Sequence, residues 1–178
     1  IEKDSRDISP CCESGTCLCE GYNGEILVGT YQGMYVYFPD ENIIENYMYS
    51  RDIEYSISHN WINDIYRDSH HRIWVATPAG LNKFEVSTGK FSKYGEANGF
   101  TNLVCTNIIA DNTNVLWITT DNGIVKYNSE SNVVVRTYGI DDGVLSTNFE
   151  KNSSMMDKNG VIYFGSNDGL VYFHPNNI

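Results

Sequence analysis

The 178 residues suffice for one domain with its own core, and 41% hydrophobic with 20% charged residues is ordinary for a soluble globular chain. The net charge of −11, from 12 basic and 23 acidic residues, argues against nucleic acid and anionic membrane surfaces as partners, because both need basic patches. No apolar stretch approaches the ~18 residues that cross a bilayer. A leader sequence is not evident, and a first residue of Ile1 rather than Met points to an excised or processed fragment.

In chain order, residues 1–20 read as a degenerate segment, with Ile1 to Ser9 a candidate closing strand. Cys11, Cys12, Cys17 and Cys19 crowd this stretch, and Cys105 stands apart. They form no C-x-x-C pair and no His is near, so no metal site is expected. Cys17 and Cys19 share one face of a strand and read as buried thiols; a disulfide stays open as an alternative if the chain is exported.

From residue 21 onward one pattern recurs four times: an apolar strand, a small residue, Thr or Ser, two variable residues, Gly, and an apolar residue. The copies are Ile26 to Met34, Ile73 to Leu81, Leu116 to Ile124 and Ile162 to Leu170. Their shared glycines, Gly33, Gly80, Gly123 and Gly169, lie 47, 43 and 46 residues apart. The second copy is the clearest. Strands are expected at 62–66, 72–77, 81–86 and 90–94, separated by turns at Asp68 to His71, Pro78 to Gly80 and Ser87 to Gly89. A strand-rich period in the 40s is that of a β-propeller blade. The expected fold is therefore all-β, with about four four-stranded antiparallel blades or partial blades, at 17–55, 56–98, 99–142 and 143–178, forming part of a larger propeller. The last copy stops after its third strand.

Aligned positions explain the register. Gly24, His71, Asn114 and Gly160 fall where a hairpin needs positive φ. Asp68, Asp111 and Asp157, with Gly21 in the first copy, precede them and can accept turn N–H bonds. Gly29, Ala76, Thr119 and Gly165 are small enough for neighbouring sheets to approach. Thr30, Thr77, Thr120 and Ser166 can close turns with their hydroxyls. Trp74, Trp117 and Tyr163 are expected to fill the space between blades.

The stretch Asn60-x-Ile62-x-x-Ile65-x-x-Asp68, followed by Ile73-Trp74-Val75-Ala76-Thr77-x-x-Gly80-Leu81, resembles the two-component regulator propeller repeat. The linkers Asn98-Gly99-Phe100 and Asp142-Gly143-Val144 fit it. The run from Asp142 through Asn148-Phe149-Glu150 to Tyr172-Phe173-x-Pro175 is similar to the closing blade of that family's second propeller. The resemblance spans residues 21–178. It implies the periplasmic sensor of a hybrid two-component receptor, whose relatives carry two seven-bladed propellers, then a β-sandwich, a membrane helix, a histidine kinase, a receiver and a helix-turn-helix transcription domain. Oligosaccharides are the implied ligands, a dimer the implied signalling state, and a phosphorelay the implied output. The cysteine-rich first copy and the non-glycine turn residues His71 and Asn114 depart from the pattern.

A sugar site would combine aromatic faces with planar amides on the loops leading into each first strand. The candidates are Asn60, Trp61 and Asn63, then Asn102 and Asn107, then Asn148 and Phe149. Trp61 stands outside the recurrent aromatic position. The alternative for these residues is structural: Asn60 and Asn148 cap turns, and Trp61 covers the core edge. A protein-interaction or dimerisation scaffold without a small-molecule site is the alternative for the whole chain. No catalytic motif, cofactor site or metal site is expected; Asp121 and the pair Asp141 and Asp142 read as turn carboxylates.

Overall fold

The computed structural model describes residues 14–178. Cys11, Cys12 and the candidate closing strand Ile1 to Ser9 lie outside the described residues.

The four repeats fold into four antiparallel sheets. Blade 1 is β1 (Gly15–Glu20), β2 (Ile26–Thr30), β3 (Gly33–Phe38) and β4 (Ile43–Tyr47). Blade 2 is β5 (Asp64–Arg67), β6 (Ile73–Thr77), β7 (Gly80–Glu85) and β8 (Lys90–Tyr94). Blade 3 is β9 (Cys105–Ala110), β10 (Leu116–Thr120), β11 (Gly123–Asn128) and β12 (Val133–Tyr138). Blade 4 has three strands, β13 (Phe149–Met156), β14 (Ile162–Ser166) and β15 (Gly169–Phe173). Each blade runs in order from inner to outer strand.

β1 corrects the reading of residues 1–20 as degenerate: its described part holds the inner strand of a full blade. The alternation of Cys17 and Cys19 marked a strand, but the copy read as degenerate because Gly-Thr-Cys-Leu-Cys-Glu has no aromatic and its turn has Gly21 where the other copies have Asp. The Glu25 carboxylate fills that place instead. A Cβ on Gly21 would meet Glu25 Oε2, and that oxygen accepts the Asn23 backbone N–H at 2.9 Å. In the other copies the Asp does this itself. Asp68 Oδ1 accepts from the His70 and Arg72 backbones, Asp111 Oδ1 from Thr113 and Val115, and Asp157 Oδ1 from Asn159 and Val161. His71 and Asn114 sit at φ 63°, beside Gly24 at 86° and Gly160 at 81°, as the alignment requires. Thr30, Thr77, Thr120 and Ser166 each donate a hydroxyl to the carbonyl of the shared glycine, at 2.8–3.1 Å.

Three buried clusters lie between successive blades. Leu27, Met34 and Val36 pack on Ile62, Ile73 and Phe84 between blades 1 and 2, with Cys17 and Cys19 at the margin. Trp74 and Leu81 pack on Ile108, Leu116 and Tyr127 between blades 2 and 3. Trp117 and Ile124 pack on Ile162 and Phe164 between blades 3 and 4. Burying aromatic and branched apolar groups on both faces of each middle sheet is the main stabilising contribution. Tyr163 differs from Trp74 and Trp117. It stacks on Tyr172 on the far face of blade 4, where Leu170 (58% exposed) and Tyr172 (66%) meet solvent. On blade 1 the facing Leu18 is 73% exposed.

At the axis the blades are joined by side chains reaching to the next blade's backbone. Thr16 Oγ1 donates to Ile62 O at 2.7 Å, Asn63 Nδ2 to Cys105 O at 2.7 Å, and Asn107 Nδ2 to Glu150 O at 2.9 Å. Asn152 Nδ2 donates to Thr16 O, which links the inner strands of blades 4 and 1.

Candidate ligand-binding face

In an antiparallel blade the loop leading into the inner strand and the turn between second and third strands lie at the same end. The loop before β5 and the β2–β3 turn therefore meet, and hydrogen bonds fasten them. Gly33 N–H donates to Asn60 O at 2.8 Å, and Ile62 N–H to Thr30 O at 2.9 Å. His59 Nδ1 accepts the Trp61 backbone N–H at 2.9 Å, which sets the loop's shape.

This brings Trp61 onto Tyr31. The rings meet edge to face with centroids 5.8 Å apart, and His59 takes the same attitude to Trp61 at 5.6 Å. Trp61 is 51% exposed and Tyr31 44%. From blade 4, Lys151 Nζ lies 5.1 Å from the centre of the Tyr31 ring. Three blades thus contribute to one aromatic surface with a cation beside it. Such a surface can stack on the apolar face of a flat or ring-shaped ligand and offer a positive charge at its edge.

The other sequence candidates divide. Asn60 Oδ1 accepts the Tyr49 N–H at 2.7 Å, so its side chain ties the linker between blades 1 and 2. Asn63 and Asn107 are buried inter-blade struts rather than exposed amides. Asn102 Oδ1 caps its own loop through Val104 N–H at 2.8 Å. Asn148 is exposed, and its carbonyl accepts Asn167 N–H at 3.0 Å. Phe149 is half-buried against Phe164. Tyr31, His59 and Lys151 were missed. Tyr31 had a signal: the residue after Thr or Ser in the other copies is Pro78, Asp121 or Asn167, so it alone is aromatic there.

Two buried features bear on the electrostatics. Burial pushes the Asp64 carboxyl up to about 6, against the lowering effect of the Ile108 and Ile65 backbone N–H groups that it accepts. Because Ile108 N–H turns to Asp64, Asn63 Oδ1 is left without a partner among the described residues, whereas Asn107 Oδ1 takes Ser153 N–H. Burial also holds the Cys17 and Cys105 thiols up at about 12, so neither is a nucleophilic thiolate near neutral pH. At the opposite end a cleft of about 660 Å³ opens between blades 1 and 2, where Tyr22 packs on His71. Its Arg72 is engaged by Asp68 and Glu130, and its Glu25 by Asn23.

Residues 56–79, which hold the Trp61 loop, β5 and β6, match the family model for the two-component regulator propeller. The crystal structure of the extracellular domain of the hybrid two-component system BT3049 from B. thetaiotaomicron superposes with a TM-score of 0.80 at 27% identity, across 92% of this chain and 22% of that one. The chain thus carries a two-component regulator propeller repeat at residues 56–79. A protein named Histidine kinase P4, from Formosa agariphila, is 33% identical over an alignment covering 70% of this propeller chain and 13% of its own length. The propeller chain therefore spans about an eighth of that relative and under a quarter of the BT3049 domain. Virginiamycin B lyase from Staphylococcus aureus shares the fold at a TM-score of 0.67 and 16% identity, across 92% of this chain and 53% of its own.

Proposed function

We propose that this chain is a ligand-sensing propeller segment of a hybrid two-component receptor, periplasmic in location and responding to oligosaccharides. The observation that carries the ligand site is the exposed Trp61 and Tyr31 pair with Lys151 at its edge. The likeness to the BT3049 extracellular domain supports an extracytoplasmic receptor. The uncovered faces around Leu18 and Leu170 support membership of a larger ring. Ligand binding at the end of the blades that gathers three of them would shift their relative geometry. In a homodimeric parent it would bias a distant kinase and, through a phosphorelay, transcription.

The test is a thermal-shift screen against oligosaccharides with dose response, repeated on Trp61→Ala. Saturable stabilisation that the variant loses, with its own stability changed by under about 1 kcal/mol, supports the reading. Undiminished affinity in the variant would move the site elsewhere. A second reading, a protein-interaction scaffold, is favoured by the uncovered apolar faces. A dimer that persists on dilution without ligand would support it.

A further inference from the structure

We propose that the Trp61 surface selects acidic oligosaccharides, with Lys151 binding the carboxylate or sulfate of a sugar unit whose apolar face stacks on Trp61; this rests on the oligosaccharide reading of that surface and names the class of sugar it takes.

Lys151 is delivered there by an irregularity peculiar to blade 4. The five steps from Phe149 to Ser154 in β13 run opposite the two from Ser166 to Phe164 in β14. Blade 2 pairs residue for residue along its inner strand, and blades 1 and 3 slip by one. The bulge turns at Asn152, whose φ of 53° lies in the left-handed region that few residues other than glycine adopt. Bulges re-aim side chains, and this one is held from both sides. Before Lys151, the Glu150 carbonyl accepts Asn107 Nδ2 of blade 3 at 2.9 Å. After it, Asn152 Nδ2 donates to Thr16 O of blade 1. Lys151 is thereby carried across to blade 1, with Nζ 5.1 Å from the centre of the Tyr31 ring. Contact with the ring fixes the ammonium beside Trp61 without neutralising it.

The surroundings favour an anion. Lys151 is exposed and makes no ion pair among the described residues. Although the chain has 23 acidic residues against 12 basic ones, the parts of blades 1 and 2 that meet at this surface have none: residues 31–32, 56–63 and 78–79 contain neither Asp nor Glu. The equivalent turns of blades 3 and 4 contain Asp121 and Asp168. In the linker before β5, the acidic residues Asp52 and Glu54 precede Tyr55, whose carbonyl is drawn to the outer strand of blade 2 and accepts the Phe91 N–H at 2.8 Å. Glu150, next to Lys151 in the chain, is exposed and makes no bond to it. His59 adds a donor: because Nδ1 accepts the Trp61 N–H, the neutral ring carries its proton on Nε2. Stacking on Trp61 serves neutral and acidic sugars alike. The discrimination comes from Lys151, since an anion makes a charge-assisted bond to the ammonium, whereas a hydroxyl merely replaces water there.

The test is calorimetric titration of the chain with matched pairs of oligosaccharides: oligogalacturonate and its methyl ester, oligomannuronate and its carboxyl-reduced form, and a sulfated carrageenan tetrasaccharide and its desulfated form. Saturable binding of an acidic member is expected, weakened by about tenfold or more in its neutral counterpart and in Lys151→Gln. The pair that responds tells carboxylate from sulfate. Lys93→Gln, on the outer strand of blade 2, should leave the affinity unchanged, which separates a local contact from the chain's overall charge. Equal affinity for both members of the binding pair, or undiminished affinity in Lys151→Gln, overturns the selection of acidic sugars; if Trp61→Ala still abolishes that binding, the oligosaccharide reading stands without it. Binding of no member, acidic or neutral, overturns both.

Discussion

The indole Nε1 of Trp74 donates to Asp68 Oδ2 at 2.9 Å, and the pair recurs one blade on, where Trp117 donates to Asp111 Oδ2 at the same distance. The Asp that shapes the first hairpin turn is therefore also the partner of the aromatic residue that fills the next inter-blade space. One carboxylate couples turn geometry to core packing, which is why the two residue types recur six positions apart. Asp68 is the more heavily loaded, since Arg72 Nε also donates to its Oδ2 at 2.6 Å. Burial pushes its carboxyl up, but the bonds from Trp74 and Arg72 outweigh that and hold it below the usual range. Bonds from Thr113 and Trp117 likewise outweigh burial at Asp111.

Removing these carboxylates should cost stability in a fixed order. Asp68→Ala strands a buried indole N–H and leaves Arg72 Nε without its partner while Glu130 and Ser129 still hold the rest of the guanidinium, and should lose about 3 kcal/mol. Asp111→Ala strands an indole alone, for about 2 kcal/mol. Asp157→Ala should lose least of the three, because its partner is not an indole N–H but Tyr163 Oη, 3.4 Å away. Urea unfolding of the three variants gives the order, and equal losses would contradict the coupling of turn to indole.

The pH profile should fall on both sides of a maximum near pH 4. Asp68 and Asp111 have native pKa values below the unfolded value of about 3.9, so their contribution is present above that value and lost as pH falls through the native values. Asp64 works in the opposite sense. Its native value of about 6 exceeds the unfolded one, so the native state holds the extra proton, and stability declines as pH rises from about 4 through about 6. That decline is at most about 3 kcal/mol. Asp64→Asn should flatten the profile between about pH 4 and 6 while leaving the acid limb intact. A wild-type profile already flat in that range would show Asp64 to be ionised with an ordinary pKa.

The blades were legible because their markers are repeated: the glycine and the hydroxyl recur at constant offsets in all four copies, the aspartate and the aromatic in three, and all but Tyr163 do the same local task wherever they occur. β1 was legible as a strand through Cys17 and Cys19 but not as a regular copy, because Glu25 replaces an Asp from the other side of the turn, a swap visible only once the chain is folded. The candidate site was half legible. Trp61 stood out by breaking the aromatic periodicity, but its neighbours Tyr31 and Lys151 come from other blades, and no spacing rule links residues 31, 61 and 151. Asn63 and Asn107 misled because an amide suited to a hydroxyl ligand suits a neighbouring backbone carbonyl equally well.

Those two asparagines should differ in their contribution. Asn107 is fully buried, with Nδ2 donating to Thr119 Oγ1 and Glu150 O and Oδ1 accepting Ser153 N–H. Asn107→Ala should cost about 3 kcal/mol, since it leaves buried partners unpaired. Asn63→Ala should cost less, because only its Nδ2 is engaged. Thr16→Val, at a half-buried bond to Ile62 O, should cost about 1 kcal/mol. Chemical denaturation ranks them, and a loss at Asn63 that exceeds the loss at Asn107 would mean that the unpartnered oxygen has an undetected role.

The glycine series separates two reasons for one conserved chemistry within the repeats. All four shared glycines have positive φ, from 109° to 134°, so alanine at any of them carries a backbone strain of about 1–3 kcal/mol. At Gly33, Gly80 and Gly123 the new methyl also meets a Tyr carbonyl of the outer strand, which must shift and so weaken the pairing of β4, β8 or β12. Alanine at those three should destabilise by several kcal/mol, with Gly123 worst because its carbonyl is closest. Gly169→Ala should show the strain alone, since its site is open. Thermal unfolding of the four alanine variants decides the matter. A Gly169 loss equal to the others would mean that backbone strain, not the outer strand's carbonyl, is what demands glycine at this position in every blade.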